Sequence, residues 1–179
     1  METLFTPWRS AYLSGGRRER GCIFCRARDA GDDASHLIVH RGRLNFLILN
    51  RYPYNNGHLM IVPNRHIPSL SGATPAQLGE MMQLTARAER VLQRIYRMDG
   101  LNLGMNLGSS AGAGVIGHLH LHVVPRWQGD TNFMSVVGGT RITPETLLDS
   151  YRRIRAGFAG AMDRPRNRSP RRARAKGVR

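Results

Sequence analysis

The sequence predicts an α+β domain built on an antiparallel sheet of about five strands, with one long and one shorter helix. Short β-rich stretches alternate with turn-rich segments, and the connections between 36 and 63 and between 101 and 124 are too short for helical crossovers. Two amphipathic helical patterns account for the remaining apolar periodicity. With 179 residues, the chain suits one such domain and is too short for two ordinary ones.

The first part of the chain is expected to hold an arm and three strands. Residues 1–20 read as an extended N-terminal arm with an apolar anchor at Leu4, Phe5 and Trp8, and residues 21–160 as the folded domain. Strands are expected at about 36–40, 44–50 and 57–63. The turn-rich segment 52–56 would join the last two as an antiparallel hairpin.

The clearest helix is predicted to begin after Thr74. Threonine is a suitable N-cap, Pro75 suits the first helical position, and Gln77 completes a capping box. The helix should run to about Met98, before a stop signal at residues 99–100.

Two strands and a shorter helix are expected to complete the domain. The strands lie at 101–107 and about 117–124, separated by a loop of small residues at 108–114. The shorter helix covers 144–158 and is opened by Thr143, Pro144 and Glu145.

Charge and hydropathy restrict the class of protein. The net charge is +15, and residues 164–179 carry seven Arg and one Lys without an acid, so 161–179 is expected to be a disordered basic tail with weak polyanion affinity. The longest aliphatic runs, 46–49 and 59–62, are far shorter than the roughly 20 residues of a membrane span. The N-terminus lacks the pattern of a secretory signal, which predicts a cytoplasmic protein.

Three histidines alternate near residue 120. In a strand, His118, His120 and His122 would share one face, because successive side chains point to opposite sides. The α-carbons of the outer two would be roughly 13 Å apart, too far for all three rings to bind one metal. Neutral imidazole is a good nucleophile at phosphorus, and the main-chain N–H groups around Ala113 and Gly114 could hold a phosphate, with Arg126 as a further donor.

The motif around these histidines resembles a known family. Residues 118–125, His-Leu-His-Leu-His-Val-Val-Pro, resemble the signature of the histidine triad superfamily of nucleotide hydrolases and transferases. Residues 50–63 look like its nucleotide-binding hairpin, and 106–112 with 125–133 look like the subgroup of bacterial diadenosine tetraphosphate phosphorylases. The resemblance covers about 4–155, and it implies a histidine-triad catalytic domain and a homodimer.

The resemblance also implies an activity and a set of roles. The chain would cleave dinucleoside polyphosphates at the α-phosphate through a nucleotidyl-His120 intermediate, by phosphorolysis or hydrolysis. A main-chain carbonyl near His118 would orient His120, His122 would contact the phosphate or the leaving oxygen, and His58 would lie nearby. The nucleotide-binding residues would be Asn50 at the ribose, Ile48 and Met60 at the adenine, Asn106 at the α-phosphate, and Trp127 at the substrate mouth, although partial core burial explains Trp127 equally well.

The only two cysteines form a zinc half-site. Cys22 and Cys25 have the spacing of metal ligands, and a disulfide is not expected in the cytoplasm. His66 is the natural third ligand of a structural Zn²⁺, and the resemblance suggests His118 as the fourth. Two reduced, half-buried cysteines are the alternative.

The sequence is also compatible with other activities. Relatives of the resembled family often place Gln, Ser or Thr donors where this chain has residues 113–117, so the acceptor of the second step is not determined. A nucleoside phosphoramidate or adenylyl-amine hydrolase would use the same nucleophile. A nucleotide-binding regulatory protein with vestigial catalysis and a metalloenzyme built on the histidines are the remaining alternatives.

Overall fold

The computed structural model describes residues 21–130 and 145–160, and it confirms the predicted α+β class. Helix α1 spans Ile23–Asp29, α2 spans Pro75–Tyr96 and α3 spans Leu147–Ala159, with a short 3-10 helix at Leu70–Gly72. The strands are β1 Ile38–Arg41, β2 Asn45–Leu49, β3 Leu59–Pro63, β4 Gly100–Gly104 and β5 Leu121–Arg126. The predicted arm and basic tail lie outside the described residues.

The five strands form one antiparallel sheet in the order β1-β2-β3-β5-β4. Strand β5 therefore lies between β3 and β4, although it comes after both of them in the chain. Strands β2 and β3 are entirely buried, and α2 packs across β2, β3 and β5 on one face of the sheet. The opposite face of the sheet carries His122.

Helix α2 begins as predicted and ends earlier. The Thr74 side chain accepts from the Gln77 N–H, and the Gln77 side chain accepts from the Thr74 N–H, which is a complete capping box. The helix stops at Tyr96 rather than Met98, because Arg97 adopts a left-handed conformation with φ 48°. The chain then enters β4 at Gly100, one residue before the predicted start.

Helix α3 begins later than predicted. The side chain of Thr146 caps the helix by accepting from the Asp149 N–H, so the first helical residue is Leu147. The predicted opening residues Thr143 and Pro144 lie outside the described residues. The helix packs tightly on α2, since a Cβ on Gly157 would lie 2.7 Å from Val91 Cγ1. Glycine is thus required where the two helices cross.

The structure differs from the sequence prediction in two further respects. The short helix α1, which carries Cys25, was not predicted, because seven residues are too few to show a helical period. Strand β5 begins at Leu121, so of the three alternating histidines only His122 lies within a strand. The chain before it is held separately, since the Leu119 N–H donates to the Ile67 carbonyl at 2.6 Å.

No helix in the described ranges, 21–130 and 145–160, is long and apolar enough to cross a lipid bilayer.

Candidate active site

A row of four residues crosses the face of the sheet that carries His122. Ile48 of β2 pairs with Met60 of β3, Met60 pairs with His122 of β5, and His122 pairs with Gly104 of β4. Directly opposed residues of antiparallel strands point to the same face. The sheet therefore places two apolar side chains on one side of His122 and a glycine on the other.

His120 is held by a single hydrogen bond from one ring nitrogen. Its Nδ1 lies 2.8 Å from the His118 carbonyl oxygen, which can only accept, so Nδ1 carries the proton. This assignment leaves a lone pair on Nε2, the nitrogen that a nucleophilic imidazole needs. The ring is 4% exposed and contacts His122, with ring centroids 4.9 Å apart.

Phe24 packs against both His120 and His118. The Phe24 ring is 1% exposed, with its centroid 5.1 Å from the His120 ring and 5.5 Å from the His118 ring. Sequence reasoning missed this residue, and the only available signal was its position between Cys22 and Cys25. Helix α1 thus packs an aromatic side chain directly against the candidate nucleophile.

The protonation of His122 follows from a chain of hydrogen bonds through His58. The Tyr54 N–H donates to His58 Nδ1 at 3.1 Å, so that nitrogen is an acceptor and the His58 proton sits on Nε2. His58 Nε2 lies 2.9 Å from His122 Nδ1 and donates to it. Neutral His122 therefore carries its own proton on Nε2, where it can serve as a hydrogen-bond donor.

Burial keeps His120 and His122 neutral. It lowers the pKa of His120, although the hydrogen bond to the His118 carbonyl acts in the opposite direction. Burial, with a smaller contribution from His120, lowers the pKa of His122 to about 4. At neutral pH the pair consists of two neutral rings, which suits nucleophilic attack by one and hydrogen-bond donation by the other.

A cleft of about 410 Å³ opens beside His122. Its lining comes mainly from β4, β5 and the loop after β2: Tyr54, Asn55, Asn102, Leu103, Gly104, Asn106, His122, Val124, Arg126 and Asp130. This volume lies within the range of about 300–1,000 Å³ that is usual for small-molecule sites. The cleft contains one predicted nucleotide contact, Asn106, and one of the three alternating histidines.

The predicted metal ligands come together. Ligand atoms of Cys22, Cys25, His66 and His118 all lie within 4.8 Å of one another. His118 Nδ1 is 3.2 Å from Cys22 Sγ and 3.7 Å from Cys25 Sγ, and His66 Nδ1 is 3.4 Å from Cys25 Sγ. Ligands of tetrahedral zinc, with bonds of about 2.0–2.3 Å, are separated by roughly 3.3–3.8 Å.

The donor set fits zinc in a second respect. His118 Nε2 lies 2.9 Å from the Pro63 carbonyl oxygen and donates to it, which leaves the Nδ1 lone pair facing the cysteines. Metal-binding histidines characteristically donate their other ring N–H in this way. His118 therefore directs its side chain to the cysteine cluster and its carbonyl to His120.

Three other predicted nucleotide contacts, Asn50, Ala113 and Gly114, do not line the cleft beside His122. Asn50 Nδ2 is 3.4 Å from His58 Nδ1, and the chain at Asn50 leaves β2 on the face of Ile48 and Met60. Ala113 is half-buried and Gly114 exposed, both in the loop that leads to His118. That their main-chain N–H groups donate hydrogen bonds to a phosphate stays a prediction.

Trp127 lies away from the histidines. It follows β5 with the alternation of Leu121, Val123 and Pro125, which face the helices. Its Nε1–H donates to the Tyr96 carbonyl at 3.3 Å, and its ring meets the Tyr96 ring edge-on. This position agrees with the partial-burial alternative, and a contact between Trp127 and a base stays a prediction.

Comparison of the sequence with known proteins identifies a matching family. The HIT domain matches residues 32–129. The AP-4-A phosphorylase of Mycobacterium tuberculosis is 39% identical over 166 residues, which cover 89% of this chain and 85% of that protein. The Bis(5'-nucleosyl)-tetraphosphatase (asymmetrical) of Schizosaccharomyces pombe is 27% identical over 93 residues, or 52% of this chain and 50% of that one.

A solved structure agrees with the fold. The Zn-bound histidine triad family protein from Mycobacterium smegmatis superposes with a TM-score of 0.64 at 28% identity, covering 78% of this chain and 94% of that one. That protein is Zn-bound, and the present chain gathers a four-residue set of donors that could hold a metal ion.

Proposed function

This chain belongs to the HIT domain family, and from that premise we propose that it is an enzyme that cleaves dinucleoside polyphosphates by phosphorolysis. The observation that carries the proposal is the pairing of His120, whose Nε2 lone pair is available, with His122, whose Nε2 carries a proton. The 39% identity with AP-4-A phosphorylase over most of both chains supports this class of substrate.

In the proposed first step, His120 Nε2 attacks the α-phosphorus of the substrate. A P–N bond forms while the P–O bond to the bridging oxygen breaks, and the electron pair of that bond stays on the departing nucleoside polyphosphate. The His122 Nε2–H donates to a phosphate oxygen as negative charge builds up on it. The His118 carbonyl stabilises the positive charge that develops on the His120 ring.

In the second step, an oxygen of inorganic phosphate attacks the same phosphorus. The P–N bond breaks, its electron pair returns to Nε2, and a nucleoside diphosphate is released. With diadenosine tetraphosphate the products are ATP from the first step and ADP from the second. Water in place of phosphate would give AMP.

The retained nucleotide is proposed to lie on the β2–β3 side of His122. Ile48 and Met60, each 8% exposed, offer apolar contacts to adenine there, and Asn50 would bind the ribose. Asn106 would reach the α-phosphate from the cleft side.

The test is product analysis with diadenosine tetraphosphate, with and without phosphate. Phosphorolysis gives ADP and ATP only when phosphate is present, whereas AMP and ATP in its absence would show hydrolysis. His120→Ala should lose roughly 10³-fold or more in kcat. The control is His36→Ala, which removes a histidine from the segment before β1, and it should keep full activity. Equal rates for His120→Ala and the parent would overturn the proposed mechanism.

We further propose that Cys22, Cys25, His66 and His118 bind a structural Zn²⁺. Zinc would join α1 to the residues after β3 and before β5, and it would supply no open coordination position for catalysis. The purified chain should contain close to one zinc per chain, and Cys25→Ser should reduce both the zinc content and the melting temperature. A zinc-free wild-type chain that melts at the same temperature with and without added zinc would refute this site.

A further inference from the structure

Four exposed arginines lie on the outer side of the helical layer. Arg90, Arg94 and Arg97 follow one another at spacings of four and three residues along the end of α2, so they form one stripe, while Leu92 is buried on the opposite side of the helix. With a rise of about 1.5 Å per residue, the stripe is roughly 10 Å long. Arg152 on α3 is also exposed. We call these four residues the arginine face.

Few carboxylates accompany the arginine face. Within the ranges that the structure describes, no Asp or Glu oxygen lies within 4.0 Å of a side-chain nitrogen of Arg90, Arg94 or Arg97. Arg152 is 3.8 Å from Asp149, but the two side chains are 68% and 53% exposed, and such surface pairs are weak. The guanidinium groups of the arginine face are therefore available to external anions.

Helix α3 brings a second group of cations to this side of the molecule. It runs antiparallel to α2, since Arg153 Nη2 donates to the Ile95 carbonyl at 3.0 Å near one end and Arg87 Nη2 donates to the Phe158 carbonyl at 2.8 Å near the other. The chain thus leaves α3 beside the middle of α2. Residues 164–179 of the basic tail, with seven Arg and one Lys, begin five residues later, and a connection of that length spans at most roughly 18 Å.

The arginine face lies on the other side of the sheet from the candidate active site. Helix α2 packs across β2, β3 and β5, and α3 packs on α2 and on β1, which is the sheet edge opposite β4. The candidate catalytic residue His122 is on the face without these helices. A large anion bound to the arginine face would therefore leave both the candidate active site and β4 accessible.

We propose that the arginine face and residues 164–179 together bind the phosphate backbone of double-stranded nucleic acid, without sequence specificity. All four residues of the face and seven of the eight cations in the tail segment are arginine, whose planar guanidinium binds phosphate oxygens in pairs. Each strand of a duplex carries a phosphate every 3.4 Å or so, so the stripe on α2 spans about three of them. Contacts to phosphates fix a protein on a duplex but do not read its sequence.

The composition of this surface favours a duplex over two other polyanions. Neither α2 nor α3 exposes an aromatic side chain, so the helices offer no stacking platform for the bases of a single strand. Residues 164–179 contain no large apolar residue except Val178, so they lack the apolar side chains that anchor a basic segment in a lipid surface. The proposal is independent of the proposed catalytic activity.

The test is titration of a fluorescent duplex DNA with the full-length chain at several salt concentrations. Each phosphate contact contributes about 0.9 to the slope of log affinity against log salt concentration. The double variant Arg90→Gln/Arg94→Gln should therefore reduce the slope by about 2 and raise Kd at low salt at least tenfold or so. Arg171→Gln/Arg172→Gln, which removes two cations from the tail, should act in the same direction.

A matched control separates a specific surface from net charge. Arg26→Gln/Arg43→Gln removes the same charge from exposed positions on α1 and before β2, and it should change the slope by less than half as much. A second variant, Arg94→Gln/Arg152→Gln, tests the two helices together if the first variant is unstable in thermal melts. A duplex RNA of equal length, measured in parallel, identifies which duplex binds more tightly, and tighter binding of either one supports the proposal.

Three results would overturn the proposal. The first is a wild-type chain that binds neither duplex at low salt, including one that binds vesicles of anionic lipid instead. The second is binding that is unchanged in the folded Arg90/Arg94 and Arg94/Arg152 variants, which would leave the helices without a role. The third is an equal loss of affinity in the Arg26/Arg43 control, which would show that only the net charge matters.

Discussion

The hydrogen-bond chain through His58 can be tested by replacing that histidine with phenylalanine. His58→Phe retains an aromatic ring against Tyr54 and His122, whose ring centroids lie 4.8 and 5.1 Å from that of His58. It removes the acceptor of the Tyr54 N–H and of the more distant Asn50 side-chain amide, and it removes the donor to His122 Nδ1. The substitution therefore changes hydrogen bonding far more than packing.

The expected cost follows mainly from the two shorter contacts, with Tyr54 and His122, since the Asn50 amide is 3.4 Å away. His58 is completely buried, and each polar partner left unsatisfied in such a place costs about 1–3 kcal/mol. Tyr54 is more exposed, and water can partly replace its lost partner, so the free energy of unfolding should fall by about 2–4 kcal/mol. The proton on His122 is then no longer fixed to Nε2, and the loss of one preorganised donor should reduce kcat about 10²-fold.

Two measurements check this prediction. Urea denaturation gives the change in stability, and nitrogen NMR of the histidine rings reports directly which nitrogen of His122 carries the proton. The wild type should show the proton on Nε2 at neutral pH. Finding it on Nδ1, or a His58→Phe variant whose kcat stays within twofold of the parent, would refute the proposed hydrogen-bond chain.

Three further predictions concern stability. Because burial lowers the pKa of His122 from 6.5 to about 4, the unfolded chain binds the extra proton first, so stability is full above pH 6.5 and falls as the pH drops toward 4. Urea titrations should show this loss in the wild type and less of it in His122→Phe, and a pH-independent difference between the two would contradict the assignment. Thr74→Ala, which removes the capping box, should cost about 1 kcal/mol in urea denaturation, whereas the exposed Gln83→Ala on the same helix should change nothing. Glu80→Gln should cost about 1–3 kcal/mol, because its two oxygens accept main-chain N–H groups just before β2, whereas the exposed Glu89→Gln should be neutral in thermal melts.

The elements that could be predicted from the sequence are those with local signals. The capping box at Thr74 and Gln77 marked the start of α2, because it depends on residues three apart in the chain. The predicted end of α2 was wrong. Asp99 and Gly100 are residues that usually follow a helix end, but Arg97 is the residue that adopts the left-handed conformation. The position of the left-handed residue depends on how the chain enters β4, and no local sequence pattern indicates this.

The residues of the metal cluster were predictable, whereas the surroundings of the site were not. The cysteine spacing and the position of His66 predicted three candidate ligands, the family resemblance added His118, and the ligand atoms of all four lie within 4.8 Å of one another. Phe24 was missed because an aromatic residue in a short helix looks like ordinary core until its neighbours are known. Arg126 was expected as a donor, but its ion pair with Asp130 and its place at the end of a cleft depend on the pairing of β4 with β5.

One residue connects the metal cluster to the candidate nucleophile. The His118 side chain faces Cys22, while its carbonyl accepts from His120 Nδ1, so any rotation of the His118 backbone moves both. The Leu119 N–H bond to Ile67 and the His118 Nε2 bond to Pro63 hold this segment before β5 begins. A zinc bound at the cluster would therefore act on catalysis only by fixing the direction of the carbonyl. Its loss should lower kcat while leaving the affinity for AMP, which the proposed function assigns to β2 and β3, largely unchanged.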